Sequence, residues 1–384
     1  MNFLTELRRA ILQRWGWLRT ARRWVESAPA EALRPLRLGK RIGPPQGTFS
    51  LASEVCGGQA EGRIVHEAMP IPPAAEGSLS LVCQQLGLQP RHQLYPVFWA
   101  RCPEMRLAGS TLVPVNDRKQ AVEEAMFGEE RKRDPGYHYA VLPRAVRLPG
   151  RWTSLIALYS DAFYHWMIEA LPRLAMLPEL PPDTGILVHE NLLPFQEETL
   201  RLLGLEHRVR RTRERHLVVE DFYFLSPSAD MGMQHPASIR FLRDAFLPQA
   251  DQSVPAHRSL FLTRRNLRPG GRGVTNADEL QALFDRRGWH TPDLDRLPLT
   301  AQIQLFAHAE RICAVHGGAL TNLVWCRPGC RLLELCSPNY PNGCYEILSA
   351  RVGVDYRYQM CEGSPDGNVH VDMQGLEKAL DALG

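Results

Sequence analysis

From about residue 150 the chain alternates short apolar runs of strand length with longer amphipathic runs of helix length, and this restricts its fold more than any other feature. "DAFYHWMIEALPRLAML" reads as a helix, "GILVH" as a buried strand, "LPFQEETLRLLGL" as a helix and "HLVVEDFYFL" as a second strand. After a linking helix near "ASIRFLRDAFL" the pattern resumes. "SLFLTR", "RICAV" and "RLLELC" read as strands, and "NADELQALFDRRG", "LTAQIQLFAHA", "ALTNLVW" and "CYEILSARVG" as helices. Two βαβ blocks in series predict two doubly wound α/β domains, with ligands at strand carboxyl ends and in the cleft between the domains. The expected division is residues 1–45, 46–235 and 236–384, with the last helix free to return to the first domain. Before residue 150 the reading is poorer: 29–115 is rich in Pro and Gly with short β-like pieces, and "DRKQAVEEAMFGEERKRDPGYHY" reads as an exposed helix followed by a loop.

At 384 residues, 44% hydrophobic and 23% charged, the chain has the composition of an ordinary globular protein, neither disordered nor collagenous nor membrane-spanning. Nine cysteines are scattered from Cys56 to Cys361 with no CxxC pair and no neighbouring His cluster of zinc spacing, so they read as packing residues of a reduced, cytosolic protein. Charge is uneven. Residues 1–45 carry ten Lys/Arg against three Glu, a net of +7 within a chain whose total is +3. There, Leu4, Leu7, Ile11, Trp15, Leu18 and Trp24 recur at helical spacing among arginines, a pattern suited equally to an anionic membrane surface and to a helix packed on the body. The first reading places the protein on the inner face of the membrane. Confinement of the basicity to one terminal segment, with no recognised module after it, argues against nucleic acid as a partner.

Two constellations carry chemistry. In "ICAVHGGALTNLVW" the chain leaves a strand at His316, passes Gly317 and Gly318 and enters a helix containing Asn322. Free backbone N–H groups and the positive helix end favour an anion there, glycines keep side chains out of its way, and His316 can donate to a phosphate oxygen. A tight turn capped by His316 is the structural alternative. An esterase oxyanion hole does not fit, because no G-x-S-x-G elbow follows; a nicotinamide site does not fit either, because no G-x-G-x-x-G follows a strand. Arg264 and Arg265 end the strand "SLFLTR", with Arg268 and Arg272 in the glycine-rich loop beyond, and guanidinium groups suit phosphate oxygens. Glu334 ends "RLLEL", where a carboxylate can accept both ribose hydroxyls. Asn276 and Glu279 read as a helix cap with its capping-box partner.

The second constellation is "FYHWMIEALPRL", which lines up His165, Glu169 and Arg173 on one helix face, with Pro172 expected to kink it. His165 or Glu169 can serve as a general base. If Arg173 pairs with Glu169, the carboxyl pKa falls and Glu169 is left to orient His165. A plain Glu–Arg helix pair with a satisfied histidine is the structural alternative.

Taken in order, "FYHWMIEALPRL", "LFLTRRN", "NADEL" and "QIQLFAHAERICAVHGGALTNLVWCRPGCRLLEL" resemble glycosyltransferase family 61, over roughly residues 150 to 360. The resemblance implies a GT-B arrangement of two Rossmann-like domains and an inverting transfer from a nucleotide-sugar; His316, Arg264 and the 317–320 turn could meet the leaving diphosphate without a metal, and no DxD motif stands in a plausible loop, so the expectation is a metal-independent enzyme with a UDP-linked donor and no other cofactor. The resemblance further implies a hydroxyl of a surface or capsular polysaccharide, or of a lipid-linked glycan, as acceptor. Carried over residue by residue, it implies a donor site of Arg264, Arg265, His316, Gly317, Gly318, Asn322 and Glu334 and a catalytic helix with His165 and Glu169. One departure stands out: the family's Gly-Asn before the aromatic-His run is Asp161-Ala162 here, which leaves Asp161 or Ser160 to cap the helix. A non-catalytic scaffold that binds nucleotide or glycan is the alternative function.

Overall fold

The computed structural model describes residues 45–70, 75–85, 93–126, 142–230, 232–264, 272–365 and 367–384. The basic N-terminal segment, Arg265 and Arg268 lie outside the described residues. The first unit is a nine-stranded mixed sheet. Its strands are β1 (Gly47–Phe49), β2 (Gly62–His66), β3 (Val97–Ala108), β4 (Val113–Val115), β5 (Gln120–Val122), β6 (Val146–Ser154), β7 (Gly185–His189), β8 (Val209–Thr212) and β9 (His216–Leu225). They lie in the order β1-β5-β4-β3-β9-β6-β7-β8, with β2 also on β3. Only β9-β6-β7-β8 forms the parallel run expected of a doubly wound domain; β3 joins it antiparallel and carries the remaining strands. The first unit is therefore half what the alternation predicts, because the Pro/Gly-rich region adds short strands, one of them paired parallel and others antiparallel, that no helix-strand rhythm announces. Within the parallel run, β7 and β9 flank β6, so a topological switch point lies at the carboxyl end of β6.

The expected exposed helix after Asp117 is instead strand β5 followed by a 3-10 turn, Glu123–Ala125. Glu124 is buried there, and its carboxylate accepts from Ser50 Oγ (2.7 Å) and from the N–H groups of Leu51 and Ala52 (3.1 Å each). It thus satisfies the free end of helix α1 (Leu51–Cys56).

The second unit has four parallel strands in the order β10 (Ser259–Leu262), β11 (Arg311–Val315), β12 (Arg331–Cys336) and β13 (Asp355–Met360). His290 adds a parallel bridge to Leu260 on the other edge of β10. That bridge makes the unit doubly wound, with its switch point at the carboxyl ends of β10 and β11. Side-chain alternation follows the sheet. Leu260, Leu262, Ile312, Ala314 and Leu332 face one apolar layer, whereas Phe261, Cys313, Val315, Leu333 and Leu335 face another.

The remaining helices are α2 (Leu79–Gln85), α3 (Pro194–Leu202), α4 (Pro236–Phe246), α5 (Ala277–Arg286), α6 (Leu299–His308), α7 (Cys344–Val352) and α8 (Met373–Leu383). α5 and α8 cover one face of the second sheet, so the last helix stays with that sheet rather than returning to the first. On the other face, α6, α7 and the 3-10 helix Gly318–Trp325 share one apolar cluster with Trp166, Ile186, Tyr223 and Leu225 of the first unit. The two sheets therefore sandwich a common helical layer. α2 also crosses: Cys83 packs on Cys336, and Ser80 N donates to Glu346 of α7 (2.7 Å). All nine cysteines are free thiols. Asn276 precedes α5 without capping it; its amide instead exchanges two hydrogen bonds with the Val371 backbone, which ties α5 to the chain entering α8.

α4 begins with a cap that the sequence does not advertise. His235 Nδ1 accepts from Ala237 N (3.1 Å), a role open only to a neutral ring. Burial, then the charges of His66, Arg240 and Arg351, push the His235 pKa down to about 4; the His66 ring stacks on it at 4.9 Å. Because the unfolded histidine takes its proton near 6.5 and the folded one does not, stability falls as pH drops from 6.5 toward 4. Melting temperature against pH, measured for wild type and His235→Asn, is expected to lose part of that slope in the variant; identical slopes contradict the assignment.

Candidate active site

β6 ends at Ser154, and the chain passes a turn into a helical run that changes pitch twice: Phe163–His165 is α, Trp166–Ala170 is π and Leu171–Glu179 is 3-10. Pro172 supplies the cause. It has no N–H for the i−4 carbonyl and its ring clashes with an α turn, so the helix widens before it and tightens after it. The run starts from Ala162, which has no side-chain cap. Neither Asp161 nor Ser160 caps it; Ser160 Oγ accepts from Ala157 N (3.3 Å) inside the preceding turn.

His165 Nδ1–H donates to Glu169 Oε2 at 2.6 Å. The carboxylate is buried, whereas the imidazole is one-third exposed (33%). A carboxylate on Nδ1 favours the tautomer with its proton there, which leaves Nε2 unprotonated, the form a general base needs. Arg173 does not hold that carboxylate: its Nε donates to the Glu169 backbone oxygen (3.1 Å). It is buried, and burial pushes the guanidinium pKa down to about 10, opposed by the Glu169 charge.

The second unit repeats the motif at its own switch point. His316 follows β11 directly, and its Nδ1–H donates to Glu334 Oε1 of β12 at 2.5 Å. Tyr356 of β13 donates its hydroxyl to Glu334 Oε2 at 2.6 Å. Glu334 is fully buried with both oxygens engaged, so it holds His316 in place and does not face a ribose. Asn322 is also not a ligand group. It is buried, donates to Gln302 Oε1 (2.9 Å) and the Ala319 carbonyl (3.2 Å), and accepts from Trp325 Nε1 (3.0 Å). It locks the 3-10 helix that follows the turn.

Arg264, at the end of β10, donates through Nη1 to the His316 carbonyl at 2.9 Å. A side chain on Gly317 would place Cβ 2.7 Å from that nitrogen, whereas Gly318 opens onto free space. Gly317 is therefore needed for the arginine to lie against the turn. Arg272 stacks its guanidinium 4.2 Å above the ring of Tyr340, which lies 5.6 Å from His316.

The two histidines belong to one constellation. Tyr164 packs edge-on against His165 (5.4 Å) and against Tyr345 (5.7 Å), and Tyr345 lies 5.2 Å from His316. Gln234, after β9, donates to the Tyr164 hydroxyl at 2.8 Å. Burial raises the pKa of both phenols well above the ordinary value. Thus the carboxyl ends of both parallel runs meet through two tyrosines. Sequence reading missed Tyr164, Tyr345, Tyr356 and Gln234, since their roles arise from contacts between distant segments; only the adjacency of Tyr164 to His165 was a local signal. Among the described residues no group of three or more His, Cys, Asp or Glu is placed to hold a metal ion, and no helix is long and apolar enough to cross a membrane.

Two parallel runs whose switch points each present a histidine backed by a buried glutamate define an α/β protein with a two-sided site. The family model described as Glycosyltransferase 61 matches residues 163–333, from the start of the His165 helix to the third strand of the second sheet. The chain is also similar to an EGF domain-specific O-linked N-acetylglucosamine transferase of Drosophila melanogaster, with 30% identity over 128 residues. That similarity covers 30% of this chain and 24% of the relative, so the chain spans about a quarter of the protein it matches.

Proposed function

We propose that the protein is an inverting glycosyltransferase that moves a sugar from a nucleoside diphosphate, UDP in the reading preferred here, to a hydroxyl of a surface or capsular polysaccharide or glycolipid acceptor. The observation that carries this reading is the pairing of two Nδ1-anchored histidines joined through Tyr164 and Tyr345. In it, His165 Nε2 takes the proton of the acceptor hydroxyl as that oxygen attacks the anomeric carbon, and Glu169 stabilises the imidazolium. The bond to the diphosphate breaks on the opposite face. His316, Arg264 and the free N–H groups after Gly317 meet the charge that develops on the leaving oxygen. Because these groups supply positive charge, the reading assigns no metal to the reaction. The donor and acceptor halves correspond to a GT-B arrangement, and the basic N-terminal segment would hold the enzyme at the inner membrane face. The named relative transfers N-acetylglucosamine, which makes UDP-N-acetylglucosamine the first donor to assay.

The turn offers a test that leaves both histidines in place. Gly317→Ala pushes only the flexible tip of Arg264, so the fold should tolerate it while transfer falls by about tenfold, the equivalent of one weakened charged hydrogen bond. Gly318→Ala should behave as wild type. Initial rates and melting curves of both variants decide the point; equal rates for Gly317→Ala and wild type contradict the placement of Arg264 at the leaving group.

A further inference from the structure

Arg173 is a buried cation to which the proposed mechanism assigns no part. It follows His165 and Glu169 along the same helical run and is 4% exposed. Its Nε donates to the Glu169 backbone oxygen at 3.1 Å, across the junction where π pitch gives way to 3-10. Among the described residues no carboxylate forms an ion pair with it, and its Nη2 is buried without a hydrogen-bond partner. A single bond to a carbonyl does not account for this residue, because a neutral amide can make that bond without taking a charge out of water. The charge itself needs a reason.

Burial lowers the guanidinium pKa, and the charge set against that effect is that of Glu169. Glu169 in turn accepts from His165 Nδ1 at 2.6 Å. Among the described side chains packed around this trio, none brings a further charge. Tyr164, Tyr223 of β9 and Cys344 of α7 stay neutral, since burial raises the pKa of each. Tyr159 faces His165 with its phenol ring at 5.2 Å, and Asp161 of the same turn is exposed. On α4, Arg240 and Asp244 are exposed, and Arg243 donates to the Val324 and Cys326 carbonyls. The 3-10 helix Gly318–Trp325 has no charged residue.

We infer that Arg173 is a positioning residue that acts through Glu169: its fixed positive charge balances the carboxylate, and His165 is thereby kept unprotonated until an acceptor hydroxyl arrives. Charge balance decides the state of the ring. With Arg173 cationic and Glu169 anionic, the trio is neutral only when His165 carries no extra proton. Without the guanidinium, the neutral arrangement is a carboxylate beside an imidazolium, and the base is used up before the reaction begins. This inference rests on the glycosyl-transfer reading for what the neutral histidine is used for, not for its protonation.

Arg173→Gln in the full chain separates charge from hydrogen bond, because the glutamine amide nitrogen stands as many bonds from Cα as Nε does and can donate to the same carbonyl. Titration of the His165 imidazole by NMR, without substrate, is expected to place its midpoint about one pH unit above wild type. The acid limb of kcat/KM for transfer should move up equally, so that the variant is about tenfold slower on the acid side and regains the wild-type rate at high pH. A His165 midpoint unmoved or lowered in the folded variant overturns the inference and leaves Arg173 a cap on the Glu169 carbonyl. Should Arg173→Gln not fold, Arg173→Met carries the same expectation and the same contradiction. Failure of both to fold makes the arginine a support of the structure and likewise overturns the inference. If no nucleotide-sugar is turned over with any acceptor, the functional reading fails separately, while the imidazole titration still decides whether Arg173 sets the state of His165.

Discussion

Replacing His165 with Asn is expected to lower turnover by about a thousandfold while moving the melting temperature by only a few degrees. The amide nitrogen of asparagine sits close to where Nδ1 sits in histidine, so it can still donate to Glu169, which is buried and needs a partner. What is lost is Nε2, the ring nitrogen that Glu169 does not engage. His165→Ala is the poorer experiment, since it strips a buried carboxylate of its donor. Transfer rate and thermal melting of His165→Asn, compared with Glu169→Gln, give the check. Glu169→Gln should lose a similar part of the rate, because an amide cannot stabilise the imidazolium. Wild-type turnover in His165→Asn contradicts the role of base.

The second large effect is on stability and activity together, at His316. The histidine and its partner Glu334 are both buried, and His316→Ala would leave that carboxylate with Tyr356 alone. Taking one of its two hydrogen-bond donors from a buried carboxylate costs about 1–3 kcal/mol, a large share of the stability of a marginally stable protein. His316→Ala is thus expected to lower the denaturation midpoint strongly as well as abolish transfer. His316→Asn keeps a donor to Glu334 and separates the two effects: the fold should persist, while transfer drops by about a hundredfold through loss of one group at the leaving diphosphate. Urea melts and single-turnover rates of the two variants distinguish them. Equal midpoints for His316→Ala and wild type contradict the burial argument.

How much of this was legible in the sequence depended on the range of the interaction. "RICAV", "RLLELC", "GILVH" and "HLVVEDFYFL" occupy Arg311–Val315, Arg331–Cys336, Gly185–His189 and His216–Leu225, because strands covered on both faces read as continuous apolar runs. "DYRYQM" is the last parallel strand and was not read as one. It mixes charge with aromatic residues, so no apolar run marks it. The same segment holds Tyr356, whose role followed it out of sight. The His165–Glu169 pair was legible because i and i+4 meet on any helix. His316 and Glu334 are 18 residues apart and meet only because β11 and β12 pair in register, with His316 N bonded to the Leu335 carbonyl. Asn322 and Glu334 sat at positions where ligand groups are common, yet the fold uses every polar atom of both internally.

In the proposed mechanism the two histidine-glutamate pairs are halves of one site, one for the acceptor proton and one for the leaving diphosphate. Calorimetric titration of UDP into wild type, His165→Asn and His316→Asn, run beside a transfer assay with the same preparations, tests it most directly. UDP affinity is expected to be unchanged in His165→Asn and weakened about tenfold in His316→Asn, with transfer lost in both. Weakened binding in both or in neither, or transfer surviving in either, would contradict it.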